Sequence, residues 1–302
     1  MNSQDINYTF IIPHKNSPIF LERCIQSIPY RDDIQIVVVD DNSSPDIVNW
    51  NNMPIIRQKN VELIIDTANK WAGHVRNVGI QHAKGKWLLF PDADDFYQEG
   101  FLNILDHHKD ADADVIYFGF LVTDEKNNRL HWFKTEKYID DYDGTENSLA
   151  LIRYRINSPW CKMVNAKFRK KYDCWYEEQP IGNDIFFSLQ IGHFARKIIV
   201  EKEKIYHYIY YKKSQTRKKW DSYKIQTTLG NKLKPGAFYK EVGHKEWAHG
   251  LPYILYIIFK SKDFAFICKS LWILLSKHKV IWREKNKYVN SILKNGNNYS
   301  NI

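Results

Sequence analysis

Short hydrophobic runs and helical stretches alternate along the first 125 residues of the chain. The runs are rich in β-branched and aromatic residues and rarely alternate apolar with polar positions, which predicts strands buried on both faces of a sheet. These predicted strands cover Thr9–Pro13, Gln35–Asp40, Val61–Asp66, Trp87–Pro91 and Asp114–Val122. Helices are predicted between them at Pro18–Ile28, Ala72–Ala83 and Glu99–Lys109. Strands that alternate with helices predict an α/β fold that binds ligands at the carboxyl ends of its strands.

The pattern changes after about residue 145. Further helices are predicted at Glu146–Ile156 and Asn183–Ala195, and two strands at Lys197–Glu201 and Ile205–Tyr211. Past residue 220 the pattern is helical, and its apolar stretches, Leu251–Phe259 and Phe264–Leu275, are shorter than the ~20 residues that cross a bilayer. We therefore predict an α/β domain over residues 1–218, in halves of 1–125 and 126–218, and a helical region over residues 219–302.

Composition narrows the class of protein. Hydrophobic residues make up 44% of the 302 positions and aromatic residues 15%, which excludes wholesale disorder. Four cysteines are scattered without a Cys-x-x-Cys pair, which argues against a disulfide framework and a zinc cage. The first residues lack the basic segment of a secretion signal. A reducing, cytoplasmic setting is the expectation.

The net charge of +9 is unevenly distributed. From residue 201 onward there are 21 Lys and Arg against 7 Asp and Glu, a net +14, which leaves residues 1–200 at −5. Such asymmetry indicates contact with a polyanionic surface, either nucleic acid or anionic lipid.

Carboxylates follow two of the predicted strands. Asp92, Asp94 and Asp95 come directly after the strand at Trp87–Pro91, where oxygen ligands could hold a divalent cation against a substrate's phosphates. The alternative is an ordinary helix start, which also favours carboxylates. The pair Asp40-Asp41 follows another strand, either as a ligand-binding loop or as a simple turn.

The stretch from Gly73 to Gly79 places two glycines in a predicted helix. Each costs about 1 kcal/mol relative to alanine, so a close approach of the helix backbone to a ligand or a strand should compensate. Arg76 and Asn77 would then point toward the site; otherwise Arg76 is a surface residue on a poorly formed helix.

Four motifs in this order resemble the glycosyltransferase family 2 enzymes, which have the GT-A fold. Ile12-Pro13-His14-Lys15-Asn16 is similar to the family's opening strand, and Asp40-Asp41-Asn42-Ser43 to its Asp-Asp-x-Ser turn. Gly73 to Gly79 resembles its Gly-x-x-Arg-Asn-x-Gly helix, and Asp92-Ala93-Asp94-Asp95 its acidic loop. The resemblance implies a Rossmann-like nucleotide-sugar domain with a mixed central sheet, residues 1–125 being the nucleotide-sugar half and 126–218 the acceptor half.

The resemblance also implies roles on the donor side. Pro13, Asn16 and Asp40 or Asp41 would line the base and ribose pocket of a nucleotide-sugar donor. Arg76 would neutralise or orient that donor. UDP is the expected nucleotide because it is the commonest in the family.

The remaining implied roles concern the metal and the reaction. Asp92 would support the ribose, and Asp94 would hold Mn²⁺ or Mg²⁺ on the diphosphate. Asp184, in a segment similar to the family's Glu-Asp-x-x-Phe motif, would be the base that deprotonates an acceptor hydroxyl, and the reaction would invert the anomeric carbon. Asn183 replaces the usual glutamate, which puts the acceptor contacts in doubt.

Three weaker candidates have ordinary structural readings as well. His207 could complete the metal site, although a lone histidine in a strand is more often structural. Trp160 could pack beneath a sugar or could simply be buried. The segment Ser214-Gln215-Thr216-Arg217 resembles the family's Ser-x-Thr loop, which implies a clamp on the diphosphate.

The basic C-terminal region has two interpretations of equal weight. Its aromatic residues and lysines suit amphipathic helices that lie peripherally on an anionic membrane face, which would fit a lipid-linked acceptor in surface polysaccharide, lipopolysaccharide or capsule assembly. They also suit a bundle that covers the catalytic domain. With either interpretation the resemblance implies a glycan or a lipid-linked molecule as the acceptor, and no nucleic acid partner is expected.

Other function classes fit less well. A nucleotidyltransferase would favour a Gly-rich loop after the first strand, where this chain has His14-Lys15-Asn16-Ser17, and a phosphatase would need a nucleophilic aspartate there. A non-enzymatic function in binding polyanions or a membrane surface would explain the basic charge, but it would give the clustered carboxylates no role.

Overall fold

The computed structural model describes residues 5–131, 133–212, 222–261 and 263–275. The chain divides into two compact units, the first of Met1–Glu178 with Phe186–Lys212 and the second of Gln179–Ile185 with Lys213–Ile302. The predicted boundary at residue 218 lies outside the described residues. The inclusion of Gln179–Ile185 in the second unit is a feature that the sequence pattern did not predict.

Eight strands lie in one sheet within the described part of the first unit. They are β1 (Tyr8–His14), β2 (Ile34–Asp41), β3 (Val61–Asp66), β4 (Trp87–Leu89), β5 (Phe96–Tyr97), β6 (Val115–Asp124), β7 (Lys162–Asn165) and β8 (Ile198–Tyr210). The described α-helices are α1 (Pro18–Gln26), α2 (Trp71–His82), α3 (Phe101–His107), α4 (Lys134–Asp140), α5 (Glu146–Arg155), α6 (Ala166–Lys171), α7 (Asp184–Phe194), α8 (Ser222–Glu241), α9 (Leu251–Phe259) and α10 (Phe264–Leu275). The predicted α/β class with a mixed sheet and C-terminal helices is confirmed.

The strand order is β3-β2-β1-β4-β7-β6-β8-β5. Strands β3, β2, β1 and β4 are parallel, β7 runs antiparallel to both of its neighbours, and β6 is parallel to β8. Since β7 is antiparallel to both β4 and β6, strand β6 runs in the same direction as β4. The same edge of the sheet therefore holds the carboxyl ends of β1, β2, β4, β6 and β8. The loops that leave this edge carry the acidic motifs, as expected for a ligand-binding α/β sheet.

Helix α2 packs on the two inner parallel strands largely through apolar side chains. Val37 and Val39 of β2 pack with Val75 of α2 in the core. A Cβ atom added to Gly79 of α2 would lie 2.3 Å from Cγ2 of Ile11 in β1. The glycine is therefore required by a close approach of helix to strand, one of the two explanations that the sequence allowed.

The sequence pattern was wrong about the last strands of the sheet. The two strands predicted at 197–201 and 205–211 are one strand, β8, whose register against β6 shifts on either side of Gly119. A Cβ atom at Gly119 would lie 2.3 Å from the carbonyl oxygen of Lys202, so the missing side chain makes room for the irregularity. Strands β5 and β7 were not predicted, because two and four residues are too few to show a period.

The helical C-terminal region agrees with the sequence pattern, since α9 and α10 have the bounds of the two predicted apolar stretches. Helix α9 buries Ile254, Ile257 and Ile258 on one face, and Tyr256 and Phe259 are more than half exposed. Among the described residues, no helix combines the length and the apolar character that crossing a membrane requires.

Candidate active site

The acidic loop after β4 forms a cluster of carboxylates. Asp92, Asp94 and Asp95 each offer an oxygen within 4.8 Å of the others, and no other metal-binding group of this kind occurs among the described residues. Like charges this close repel one another, and a bound cation would relieve the repulsion. The chemistry of these oxygen donors therefore fits a hard divalent cation such as Mg²⁺ or Mn²⁺.

The three carboxylates differ in environment. Burial and the neighbouring Asp92 raise the pKa of Asp94 to about 6. Burial, and then the charges of Asp94 and Asp92, raise the pKa of Asp95 as well. Both oxygens of Asp95 already accept hydrogen bonds, one from the N–H of Ile209 at 2.8 Å and one from the hydroxyl of Tyr206 at 3.0 Å. Asp92 and Asp94 are only partly buried, so their oxygen atoms are the more accessible ones for a cation.

Arg76 of helix α2 lies beside the acidic loop. Its Nη2 atom donates to Oδ1 of Asp92, and its guanidinium lies 5.3 Å from the ring centre of Tyr176. The side chain is only 5% exposed, so the ion pair is held in a poorly solvated environment. Asn77 points elsewhere, since its amide pairs with the backbone N–H and carbonyl of Tyr176 at 2.9 and 3.0 Å. Its role is structural.

Asp40, near the end of β2, is fixed by a buried network. Nε2 of His14 accepts the N–H of Ser17 at 3.1 Å, so the ring proton lies on Nδ1, which donates to Oδ1 of Asp40 at 2.7 Å. The backbone N–H of Ser43 donates to the other oxygen at 2.8 Å. Burial alone would raise the pKa of Asp40, but hydrogen bonds from His14 and Ser43 outweigh it and lower that pKa. Asp40 is therefore ionised, and both of its carboxylate oxygens accept hydrogen bonds.

Asn16 and Asp41 lie beside this network. Asn16, at a positive φ of 52°, accepts the N–H of Ser44 through its side chain at 2.8 Å and so joins the loops after β1 and β2. Lys15 lies 3.2 Å from Oδ2 of Asp41. The other oxygen of Asp41 is buried and has no hydrogen-bond partner among the described residues. An unpaired buried acceptor costs free energy unless a ligand donates to it.

Pro13 is the residue of β1 that pairs with Val39 of β2. It lies one position before His14 and therefore at the same carboxyl edge of the sheet as Asp40. Its role in a base and ribose pocket stays a prediction.

Three residues that sequence reasoning missed hold the acidic loop. Arg23 of α1 donates to the carbonyl of Asp94, and Tyr206 and Tyr211 bond to the same loop from the end of β8. No spacing rule could have found them, because these contacts join residues that are 71 to 117 positions apart.

The geometry does not support His207 as a metal ligand. Its Nε2 atom lies 2.8 Å from the hydroxyl of Thr123, its ring packs against Phe96, and it is not part of the carboxylate cluster. Trp160 is buried between Tyr206 and Tyr208, in agreement with its structural reading. The segment 214–217, predicted as a diphosphate clamp, lies outside the described residues.

Asp184 begins helix α7 and belongs to the second unit. Within that unit, Asn231 of α8 fixes the preceding loop by donating to the carbonyl of Ile181 at 2.7 Å and accepting from Gln179 at 2.9 Å. Asn183, at the position of the expected glutamate, is buried and bonds back to the carbonyl of Gln179 at 3.3 Å.

Comparison with known proteins identifies the family. Residues 9–173, more than half of the chain, match the profile of Glycosyl transferase family 2. The chain belongs to this family. The four motifs at the carboxyl edge of the sheet all lie within the matched residues, whereas Asp184 lies beyond them.

Several bacterial relatives of the family are similar in sequence. The chain is 23% identical over 202 residues to the putative glycosyltransferase EpsH of Bacillus subtilis, a match that covers 64% of this chain and 58% of that protein. It is 30% identical over 221 residues to the minor teichoic acid biosynthesis protein GgaB of the same organism, covering 69% and 24%. It is 24% identical over 220 residues to the poly(ribitol-phosphate) beta-N-acetylglucosaminyltransferase TarS of Staphylococcus aureus, covering 67% and 35%. The chain thus spans between a quarter and three fifths of these family members.

Solved structures support the fold. Residues 1–349 of S. aureus TarS in complex with UDP-GlcNAc align with a TM-score of 0.59 at 16% identity, covering 84% of this chain and 79% of that one. The same protein in complex with UDP aligns with a TM-score of 0.56 at 16% identity, covering 97% and 91%. The expected GT-A fold of family 2 is confirmed.

Proposed function

We propose that this chain transfers a sugar from a nucleoside diphosphate donor, with UDP as the nucleotide, to a hydroxyl of a cell-surface glycan or lipid-linked acceptor. The observation that carries the proposal is the juxtaposition of Asp92, Asp94 and Arg76 at the carboxyl edge of the sheet. The solved TarS structures with UDP-GlcNAc and UDP support this donor class. GgaB and TarS are named for teichoic acid biosynthesis and for poly(ribitol-phosphate), which supports a surface polymer as acceptor.

Asp92 and Asp94 would hold Mg²⁺ or Mn²⁺, and the carboxyl edge around Asp41 would receive the nucleoside. The unpaired oxygen of Asp41 can accept an N–H or O–H from the base or the ribose. Arg76, already paired with Asp92, places a positive charge where the diphosphate would sit. The bound cation would stabilise the negative charge that develops on the diphosphate as it leaves.

Asp184 is the proposed general base. Its place in the first turn of α7 favours the ionised form of the carboxylate, because the amino end of a helix attracts negative charge. In that form it could remove the proton of an acceptor hydroxyl as the hydroxyl attacks the sugar from the face opposite the leaving group. Inversion at the anomeric carbon would follow.

Calorimetry of UDP binding in the presence of Mn²⁺ tests the donor site. We expect Asp94→Asn to abolish Mn²⁺-dependent binding, because one of the two available carboxylates is lost. We expect Asp184→Asn to retain binding but to lower turnover by about 10²-fold or more, the usual contribution of a general base. Turnover is measured by nucleotide release with a panel of nucleotide sugars.

Asp112→Asn is the matched control, because Asp112 is exposed and pairs only with the exposed Lys197 among its described contacts. This variant should bind and turn over like the wild type. Metal-independent binding of acidic polymers without donor turnover would instead favour the polyanion-binding alternative. Unchanged binding in Asp94→Asn would contradict the metal assignment.

We also propose peripheral association with an anionic membrane face through the C-terminal helices. Tyr253, Tyr256 and Phe259 recur at three-residue spacing on α9, and all are exposed. Lys232 lies 6.0 Å from the ring centre of Tyr253, and Lys260 lies 5.4 Å from that of Tyr256. Exposed aromatic rings next to lysines are typical of surfaces that bind to the anionic headgroup region of a membrane. Such a surface would bring the enzyme to a lipid-linked acceptor.

A further inference from the structure

The second half of β8 contacts the acidic loop through both backbone and side chain. The hydroxyl of Tyr206 accepts the N–H of Asp92 at 2.9 Å and donates to Oδ2 of Asp95 at 3.0 Å. Ile209 donates its N–H to Oδ1 of Asp95 at 2.8 Å. Asp95 and Tyr206 are both fully buried. One strand therefore fixes the first and the last carboxylate residue of the loop.

Arg23 completes the attachment from the other side. Its Nη2 atom donates to the carbonyl of Asp94 and lies 3.1 Å from the hydroxyl of Tyr211, which itself donates to the same carbonyl at 3.3 Å. The guanidinium lies 5.3 Å from the ring centres of both Phe20 and Phe96. All three aspartates of the loop are thus held by groups outside it.

The alternative is that Asp95 is a third metal ligand and Arg23 a counter-charge. Each oxygen of Asp95 already accepts one hydrogen bond from a buried donor, so a cation there would have to share these oxygens with Ile209 and Tyr206. A counter-charge near Asp94 would oppose the binding of a cation there. The role that the contacts of both residues support directly is to fix the loop, since Arg23 bonds to the backbone of Asp94 and Asp95 bonds to β8.

We propose that Asp95, Tyr206 and Arg23 are positioning residues that hold Asp92 and Asp94 in place for the cation, and that Asp95 is not a ligand. This inference rests on the proposed function for the identity of the bound group. Hydrogen bonds to metal-binding residues orient them, and their loss commonly costs ten- to a hundredfold in metal affinity.

Tyr206→Phe is the decisive variant because it removes one hydroxyl and no charge. On the full chain without donor, we expect Mn²⁺ affinity by calorimetry to fall about tenfold. Hydrogen exchange by mass spectrometry should rise in the peptide that spans residues 90–97. Tyr117→Phe is the matched control, because the Tyr117 hydroxyl is equally buried in the neighbouring strand but has no hydrogen-bond partner among the described residues. It should change neither measurement.

The outcomes separate the inference from the proposed function. If the wild type binds no Mn²⁺, the metal part of the proposed function fails, and hydrogen exchange still decides whether β8 holds the loop. If Tyr206→Phe is folded and matches the wild type in both measurements, the inference is overturned. If Tyr206→Phe does not fold, Tyr211→Phe replaces it, since Tyr211 is only partly buried and its hydroxyl contacts the same loop. A lower melting temperature with unchanged affinity and exchange would also overturn it.

Discussion

Lys162 shows how much a single polar side chain can matter in the core of the first unit. Only 1% of it is exposed, and its ammonium group donates to the carbonyls of Ile156 and Ser158 and to the hydroxyl of Ser188, each at 2.8 Å. A buried charge is tolerated only when such partners replace water. Lys162 therefore joins β7 to the loop that precedes it and to α7.

Replacing Lys162 with methionine should lower the free energy of unfolding by about 2 kcal/mol. The three acceptors lose their partner, at a cost of about 1 kcal/mol each or more, which the relief of the buried charge offsets in part. Urea denaturation at neutral pH measures the change.

Lys197→Met is the comparison for Lys162→Met, since Lys197 is exposed and pairs with an exposed carboxylate. Its loss should cost less than about 0.5 kcal/mol. Equal effects of the two substitutions would contradict the structural role of Lys162.

Among the elements, the packing of α2 on β1 is the contact that carries Arg76 to the site. The added Cβ at Gly79 would lie 2.3 Å from Cγ2 of Ile11, far inside van der Waals contact distance, and the Ile11 side chain is fully buried in the close-packed core. Any side chain at this position would push the helix away from the sheet and change the reach of Arg76 toward Asp92.

Gly79→Ala should therefore destabilise the first unit by about 2 kcal/mol, because overpacking outweighs the gain of about 1 kcal/mol in helix propensity. The thermal unfolding transition measures this loss. In an Ile11→Ala background the same Gly79→Ala change should cost less, since the clashing methyl group is absent, and a double-mutant cycle measures the difference.

Gly230→Ala in α8 is the matched control. Nothing lies within 4 Å of the added Cβ there, so the same substitution should stabilise its helix by up to about 1 kcal/mol. Destabilisation at both glycines would show that backbone conformation, rather than close packing, determines the effect.

The elements also show what a sequence pattern can and cannot reveal. The strand Val61–Asp66 and the helices α9 and α10 have their predicted bounds, because the residues that flank each segment mark its ends in the local sequence. The polar residues Lys202 and Glu203 interrupt the pattern of β8 without ending the strand. Spacing located Asp92, Asp94 and Arg76, but the support of Asp95 by Tyr206 depends on tertiary contacts that no local rule encodes.

The whole molecule carries its charge unevenly, and this division has a measurable consequence. Residues from 201 onward hold a net +14, whereas the residues before them are acidic overall. A basic surface with exposed aromatic residues is attracted to anionic polymers and anionic bilayers alike, and only the bilayer also takes up the aromatic rings.

We expect the full chain to bind phosphatidylglycerol vesicles at low salt and to dissociate as salt rises, because headgroup attraction is screened. Vesicle sedimentation measures this binding. Changing Tyr256 and Phe259 together to serine should weaken it by about tenfold or more, since two rings no longer insert.

Ile19→Ser is the control for the vesicle experiment, because Ile19 is 80% exposed but lies in the first unit. It should leave vesicle binding unchanged. A wild-type chain that stays in the supernatant at low salt would refute the membrane proposal without affecting the donor site.

The position of β7 between β4 and β6 determines when the sheet can be completed during synthesis. Strands β1 to β4 are complete once residue 89 has left the ribosome, but the partner of β4 on its open side is β7, which ends at residue 165. While the next 76 residues are synthesised, the open edge of β4 has no native neighbour. Strand β6 also lacks its partner β7 until the end of this interval. An open apolar edge invites pairing with other chains, so this interval is the stage of folding most exposed to aggregation.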